Sequence, residues 1–510
     1  MFSKAYSGSL TGLEATLIQV EVDVTDGLPQ ISMVGYLASE VKEARERVRI
    51  ALKNASFPLL PKRITINLSP ADVRKEGTAY DLPIAVAVLS ALGVIPNDCL
   101  MNTLIIGELS LNGNVRKING VLPIVLMAKE AGFMRCIVPK ENCLEGAVVE
   151  GIQVIGVETV GQTVDYLLNK IWIEPAFVDI AAILMDKEKQ YQEDFSEVVG
   201  QAACKRAIEI AVSGMHNLLM IGPPGTGKTM LARRIPTIMP DLSFEESLKI
   251  SKIYSICGLL DANQALVVKR PFRSPHHTIT EGALIGGGQY ARPGEVSLST
   301  GGVLFLDELP EFKKSTLEIL RQPLEERKVT INRLSGSYQY PANCMWVTSM
   351  NPCNCGFYPD RNICHCSPPE IKRYLNKISR PLLDRIDIVI EADKVDYKTI
   401  GSNVLEKTSE MMRQHVLTAR RMQMERYVKE DFFFNSELTP STIKRYCVLG
   451  REEKDFLDSV FETLQISVRA YHRILKVART IGDLEESERI TVKHLSEAVC
   501  YRSQDKKYWS

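Results

Sequence analysis

NLLMIGPPGTGKTMLARRI, residues 217–235, decides the fold. An apolar run is followed by Gly-x-x-x-x-Gly-Lys-Thr and then by a helical pattern, which is the phosphate-binding loop in its required context. The loop comprises Gly222, Pro223, Pro224, Gly225, Thr226, Gly227, Lys228 and Thr229. Its glycines let the backbone wrap the phosphates of ATP, and the N–H groups at the helix start point at them. Lys228 sets a point charge against the β- and γ-phosphates, and the Thr229 hydroxyl can bind Mg²⁺. A strand–loop–helix unit of this kind implies a parallel α/β sheet.

Two more strand ends complete the pattern. GGVLFLDELPEF (301–312) is an apolar run ending in an acidic pair. An acidic pair can merely cap a helix, but behind a phosphate loop it reads as chemistry. Asp307 can hold the Mg²⁺ shell, and Glu308 can take a proton from the attacking water. CMWVTSMNP (344–352) is a third strand, ending in Asn351, whose amide can orient that water between two strand ends.

The 510-residue chain is long enough for several cores, and its formal net charge is zero. Any nucleic-acid contact must therefore come from local basic loops. The apolar stretch LPIAVAVLSALGVIP (82–96) is too short to span a bilayer, and the N-terminus does not read as a signal peptide. No membrane partner and a cytoplasmic location are expected, where the twelve cysteines stay reduced.

Four regions follow from the patterning. Residues 1–170 alternate β-branched runs such as RITINLSP with helical stretches such as SEVKEARERVRIALKNA. Residues 171–195 are charged and read as a linker, residues 196–395 alternate strand and helix around the phosphate loop, and residues 396–510 are helical by pattern.

NPCNCGFYPDRNICHCSPPE (351–370) holds two Cys-x-Cys pairs, Cys353/Cys355 and Cys364/Cys366. Four thiolates at this spacing can close one tetrahedral site for structural Zn²⁺, and His365 could substitute for one. Free thiols, an iron–sulfur cluster and a redox switch are the alternatives. A metal clip here would fix the loop between Asn351 and the helix leading to Arg385. The phosphate loop lies elsewhere on the sheet, so ATP binding is expected to be independent of the cluster. His276 and His277 in SPHHT lack a nearby third ligand, which favours a packing or hydrogen-bonding role.

Long ordered segments carry a resemblance. DFSEVVGQAACKRAIEIAVSGMHNLLMIGPPGTGKTMLARRIP, FRSPHHTITEGALIGGG, PGEVSLSTGGVLFLDELPEF, NPCNCG, PLLDRIDI and SVRAYHRILKVARTIGDL resemble the magnesium-chelatase-like AAA+ ATPases of the YifB/ComM family over essentially the whole chain. The resemblance implies an ATP-hydrolysing AAA+ core with a C-terminal helical lid, a homo-hexameric ring, and a DNA branch-migration helicase of recombination or natural transformation. It also implies that Arg385 in LLDRID is the arginine finger reaching a neighbour's γ-phosphate, and that Arg469 in SVRAYHR is the lid's sensor-2 arginine. Arg380 stands where the family pattern has glycine, so it is a second candidate for the finger.

Between the acidic pair and Asn351, EERKVTINRLSGSYQYPAN (325–343) reads as a β-hairpin with its tip at Arg333 to Gly336. In the resembling clade such a hairpin projects into the central channel. Lys328 and Arg333 would meet a DNA phosphate backbone, and Tyr338 or Tyr340 would stack on a base. Tyr290 and Arg292 in IGGGQYARPGE form a second channel candidate. Solvated surface loops are the plainer reading of both.

KEGTAYDLPIAVAVLSALG and IIGELSLNGNVRKINGVLPIVLMAKEAGF resemble the Lon protease domain, which has the ribosomal S5 domain 2-like α/β fold. Ala79 occupies the position of the nucleophilic Ser. Leu122 and Ile124 fall where its Lys base is sought, so the Ser–Lys mechanism cannot run. Residues 1–170 are therefore expected to be an inactive module for binding or assembly. Three rivals remain. A magnesium-chelatase-like motor subunit, driving metal into a tetrapyrrole or remodelling a protein partner, is disfavoured by the Lon-like region and the Cys-x-Cys pairs. A protease is disfavoured by Ala79, and a σ⁵⁴-type activator by the absence of a GAFTGA loop.

Overall fold

The computed structural model describes residues 1–185, 191–288, 290–333, 336–394, 406–464 and 467–509. They form two compact units: Met1–Asp186 with Ser243–Val268, and Lys187–Leu242 with Lys269–Ser510. The segment Ser243–Val268, which the sequence places inside 196–395, thus packs with residues 1–186. Residues 186–190 of the expected linker and 395–405 at the expected lid boundary lie outside the described residues.

The first unit is a seven-stranded mixed sheet. Its strands are β1 (Phe2–Thr11), β2 (Glu14–Thr25), β3 (Gln30–Val34), β4 (Arg63–Ser69), β5 (Thr103–Ile105), β6 (Arg135–Pro139) and β7 (Gln153–Val157). They are ordered β3-β4-β2-β1-β5-β6-β7. RITINLS alternates inward Ile64, Ile66 and Leu68 with outward polar residues, as a strand with one buried face must. The apolar stretch after Tyr80 is the helix Asp81–Ala91, buried at every position. Asp81 sits at its start, where Arg47 makes a bidentate pair with it at 2.8 and 2.9 Å and the Leu109 N–H adds a third bond. The helix Phe244–Cys257 begins with a Ser243–Glu246 capping box. It meets the start of the helix Val121–Glu130, where the Gly120 N–H donates to the Ser255 carbonyl at 3.0 Å.

The second unit carries a five-stranded sheet, all of whose pairs are parallel. Its strands are β8 (Leu218–Ile221), β9 (Phe272–Arg273), β10 (Val303–Leu306), β13 (Met345–Met350) and β14 (Ile388–Glu391), ordered β9-β10-β13-β8-β14. A separate antiparallel hairpin, β11 (Lys328–Arg333) with β12 (Gly336–Pro341), lies between β10 and β13 in the chain. Strands β8, β10 and β13 are buried throughout, as a sheet covered on both faces requires. This is the parallel α/β core expected around the phosphate loop, and the helices Ser409–Arg426, Val468–Leu484 and Val492–Trp509 follow it. Among the described residues, no helix is long and apolar enough to cross a membrane.

Candidate nucleotide site

Strand order assembles the site. β13 lies between β10 and β8, so Asn351 leaves the sheet between the acidic pair and the phosphate loop. β8 connects onward to β9 at one edge and β13 to β14 at the other, so β8 and β13 flank the reversal point of the order, where parallel α/β sheets bind their ligands. Lys228, first residue of the helix Lys228–Ile238, donates to the Gly222 and Pro223 carbonyls at 2.7 and 2.8 Å and lies 3.4 Å from Asn351 Oδ1. Burial pulls its ammonium below the ordinary value, against the opposing charges of Asp307 and Glu308. Thr229 Oγ1 donates to Asp307 Oδ2 at 2.8 Å, so the two expected Mg²⁺ ligands are already paired. The Ser349 hydroxyl donates to the other Asp307 oxygen. Glu308 holds a left-handed φ of 51°, strain that costs a non-glycine residue about 1–3 kcal/mol and collects at functional sites.

The partners of several residues around the site were not legible in the sequence. His277 Nδ1 lies 3.8 Å from Glu308 Oε2, and the His276 ring packs 4.0 Å from its own. Gln201 Nε2 donates to the Thr226 and Asp393 carbonyls at 3.2 and 2.6 Å, tying the phosphate loop to the residues after β14. Gly222 passes so close to Ala392 that a Cβ there would lie 2.4 Å from the Ala392 carbonyl oxygen. The glycine of that first loop position is thus a requirement of packing as well as of phosphate access.

The three arginines do not join this cluster. The Arg385 carbonyl accepts from Asn217, the residue before β8, at 3.0 Å, whereas the phosphate loop follows β8. Four strand residues separate those edges by about 13 Å. The Arg385 side chain pairs with Glu325 and the Pro381 carbonyl and lines a cavity of about 510 Å³ with Glu318, Arg321, Gln322 and Thr330. Arg469 is exposed on the first turn of Val468–Leu484. One turn on, Arg473 Nη1 lies 3.4 Å from the Ile386 carbonyl, on the same edge as Arg385. Arg380 Nη2 donates to the Trp509 carbonyl at 3.1 Å.

Cys353, Cys355, Cys364 and Cys366 converge, with every sulfur within 4.8 Å of the others. The separations of 3.3, 3.8 and 3.5 Å among the first three compare with about 3.8 Å between thiolates around one zinc. His365 is not part of this group and is exposed. Burial pushes the Cys355 thiol up, but the Phe357 N–H and the neighbouring thiols outweigh it and bring it down to about 6. The cluster does not stand apart from the phosphate loop, as the sequence led us to expect. A Cβ on Gly356 would fall 2.6 Å from Pro224 Cδ, because the turn after Cys355 folds back across the end of β8.

The hairpin forms in the expected register, with Arg333 opposite Gly336, and Leu334 and Ser335 at its tip lie outside the described residues. The two candidate channel loops pack together. Arg333 Nε donates to the Gly288 carbonyl at 3.2 Å, and Arg292 lies 5.8 Å from the Tyr290 ring. Lys328 is exposed. Tyr340 cannot stack on a base as expected, because it is buried with its hydroxyl on the Ala291 carbonyl at 2.7 Å.

Comparison with known proteins fits these features. A family model described as magnesium chelatase, subunit ChlI, matches residues 194–400, and its C-terminal counterpart matches 406–502. A third model, subunit ChlI of Mg-chelatase, matches 20–142. The N-terminal region therefore does not separate this chain from chelatase-type proteins, contrary to the sequence argument. Lon protease 2 of Bacillus subtilis is 29% identical over 176 residues, 32% of this chain and 31% of its own, in keeping with the Lon-like N-terminal region. Competence protein ComM of Haemophilus influenzae is 39% identical over 98% of this chain and 97% of its own. The uncharacterized protein YifB of Escherichia coli is 40% identical over 99% and 97%. The chain belongs to the YifB/ComM family of magnesium-chelatase-like AAA+ ATPases.

Proposed function

We propose that the protein is an ATP-hydrolysing hexameric motor acting on DNA, in branch migration or unwinding during recombination or natural transformation. The observation that carries the ATPase reading is the convergence of Lys228, Thr229, Asp307 and Asn351 at three adjacent strand ends. Lys228 and the loop N–H groups bind the phosphates, while Thr229 and Asp307 are the pair that would hold Mg²⁺. That ion supplies charge neutralisation at the β- and γ-phosphates. Glu308 accepts the proton of the attacking water, and Asn351 orients that water. Arg385 emerges at the opposite sheet edge from its own phosphate loop and Arg469 stands one turn before Arg473 at that edge, so each would serve a neighbour's nucleotide. A ring is the closed arrangement in which every site then receives them.

The DNA reading rests on Arg333, Lys328, Tyr290 and Arg292, gathered on two loops that pack together, and on the similarity to ComM. Cations that track a backbone beside an aromatic ring suit a sequence-tolerant nucleic-acid grip. Single-stranded or branched DNA should raise the ATPase rate, and Arg333→Ala with Lys328→Ala should remove that stimulation while leaving the DNA-free rate. Equal rates with and without DNA would favour the second reading, a chelatase-like motor subunit remodelling a protein partner, which the three family models support.

The four cysteines fit structural Zn²⁺, with no coordination position left open for catalysis. Metal analysis should find about one zinc per chain, released by replacing Cys364 and Cys366 with Ser. Visible absorbance would instead indicate an iron–sulfur cluster.

A further inference from the structure

The turn Gly356–Tyr358 is held on three sides. Gly356, with φ +85°, brings backbone against the Pro224 ring at a distance no side chain tolerates. The Lys394 ammonium, two residues past Ala392, sits 4.6 Å over the Phe357 ring. The Tyr358 N–H donates to Cys353 Sγ at 3.4 Å, and its ring meets Tyr508 edge-on at 6.1 Å. Tyr508 in turn donates to Glu391, the last residue of β14, at 2.6 Å. The turn therefore touches the phosphate loop, the chain leaving β14 and the C-terminal helix at once.

We propose that this turn is a positioning element of the nucleotide site, pressed against Pro224 by closure of the four-cysteine cluster, so that nucleotide affinity depends on the cluster's metal. The inference rests on reading 222–229 as the phosphate loop and the four thiolates as a metal site. Pro223 and Pro224 form the stiff entry to the loop, and the Pro223 carbonyl accepts from both Lys228 and Thr226. Residues 353–366 contain no strand or helix, so the cluster is what ties the two ends of this loop together and presses the turn into its contacts. When the cluster opens, Pro224 loses one wall, and Lys228 and the loop N–H groups lose their fixed aim at the phosphates. Linkage makes the effect reciprocal: bound nucleotide must tighten metal retention by the same factor.

The test uses the full chain and a non-hydrolysable fluorescent ATP analogue with Mg²⁺. Zinc is stripped under reducing conditions, the chelator is removed, and zinc is later restored. Removal should weaken the analogue's Kd about tenfold, the scale of one charge-assisted hydrogen bond, and zinc should restore it. In the zinc-loaded protein the analogue should slow zinc transfer to a chelator. Gly356→Ala should keep its zinc and its circular dichroism yet bind the analogue more weakly. Parent affinity in stripped, folded protein overturns the proposal, and so does parent affinity in Gly356→Ala. Protein purified without metal refutes the metal reading, and Gly356→Ala then decides the contact alone. Parent affinity in Lys228→Ala refutes the phosphate-loop reading instead.

Discussion

At the ends of β8, β10 and β13, polar groups face one another: Lys228 lies on Asn351, and Thr229 on Asp307. In the Lon-like unit the positions that the resemblance assigns to a Ser–Lys pair are occupied by hydrocarbon. Leu122 and Ile124 are buried in one apolar cluster, and Ala79 packs against it. The Thr78 hydroxyl, one residue away, donates to the Glu108 carboxylate rather than to an amine. Glycines and helix patterns serve turns and packing in both regions. Chemistry needs particular atoms, and a fold survives their replacement by apolar groups of suitable volume.

The contrast breaks most easily at the nucleotide site. Lys228→Ala should abolish ATP binding, since it removes the charge that holds the β- and γ-phosphates. Glu308→Gln should retain binding and lower turnover by about 10²–10⁴-fold, because only the base is lost. Equal loss of binding in both would remove Glu308 from the role of base.

Arg385→Ala should cost about 10³-fold or more in turnover if the finger acts between subunits. Mixing it with Lys228→Ala should restore part of the activity through sites that pair an intact loop with an intact arginine. Mixed rings without such recovery would show that the sites are not shared. Arg380→Ala, tested beside it, should have little effect, given its bond to the Trp509 carbonyl.

The Lon-like unit should respond in stability rather than in chemistry. Arg47→Ala leaves the Asp81 carboxylate buried and unpaired, at a cost of about 3–5 kcal/mol. Burial already holds Asp81 above its ordinary value, so the native state binds extra protons and stability falls as pH rises through that window. The penalty of Arg47→Ala should therefore be smaller at about pH 5 than at about pH 8 in chemical denaturation. The smallest effect expected is none: a hydroxyl-reactive protease probe should not label Thr78, and labelling would revive the protease reading.

Contiguous motifs were readable because a few residues impose their own geometry. The phosphate loop, the acidic pair, the hairpin 328–341 and the two Cys-x-Cys pairs each act through spacings of a few positions, which steric and hydrogen-bond rules fix locally. Nothing local says that β8 pairs with both β13 and β14. That order puts Asn351 beside Lys228, Asp393 over Gln201 and Gly356 on Pro224, residues more than a hundred apart in the chain. The burial of Tyr340, where the alternation alone left Tyr338 and Tyr340 equivalent, depends on the loop around Ala291. His277 reaches Glu308 only because β9 is hydrogen-bonded to β10. The capping box of Ser243 announces a helix but not its destination, which is set by the match of its buried face to residues 117–148. Local backbone preferences act within a turn or two of chain, whereas strand order and docking are decided by burying complementary surfaces of distant segments, and that choice belongs to the tertiary structure.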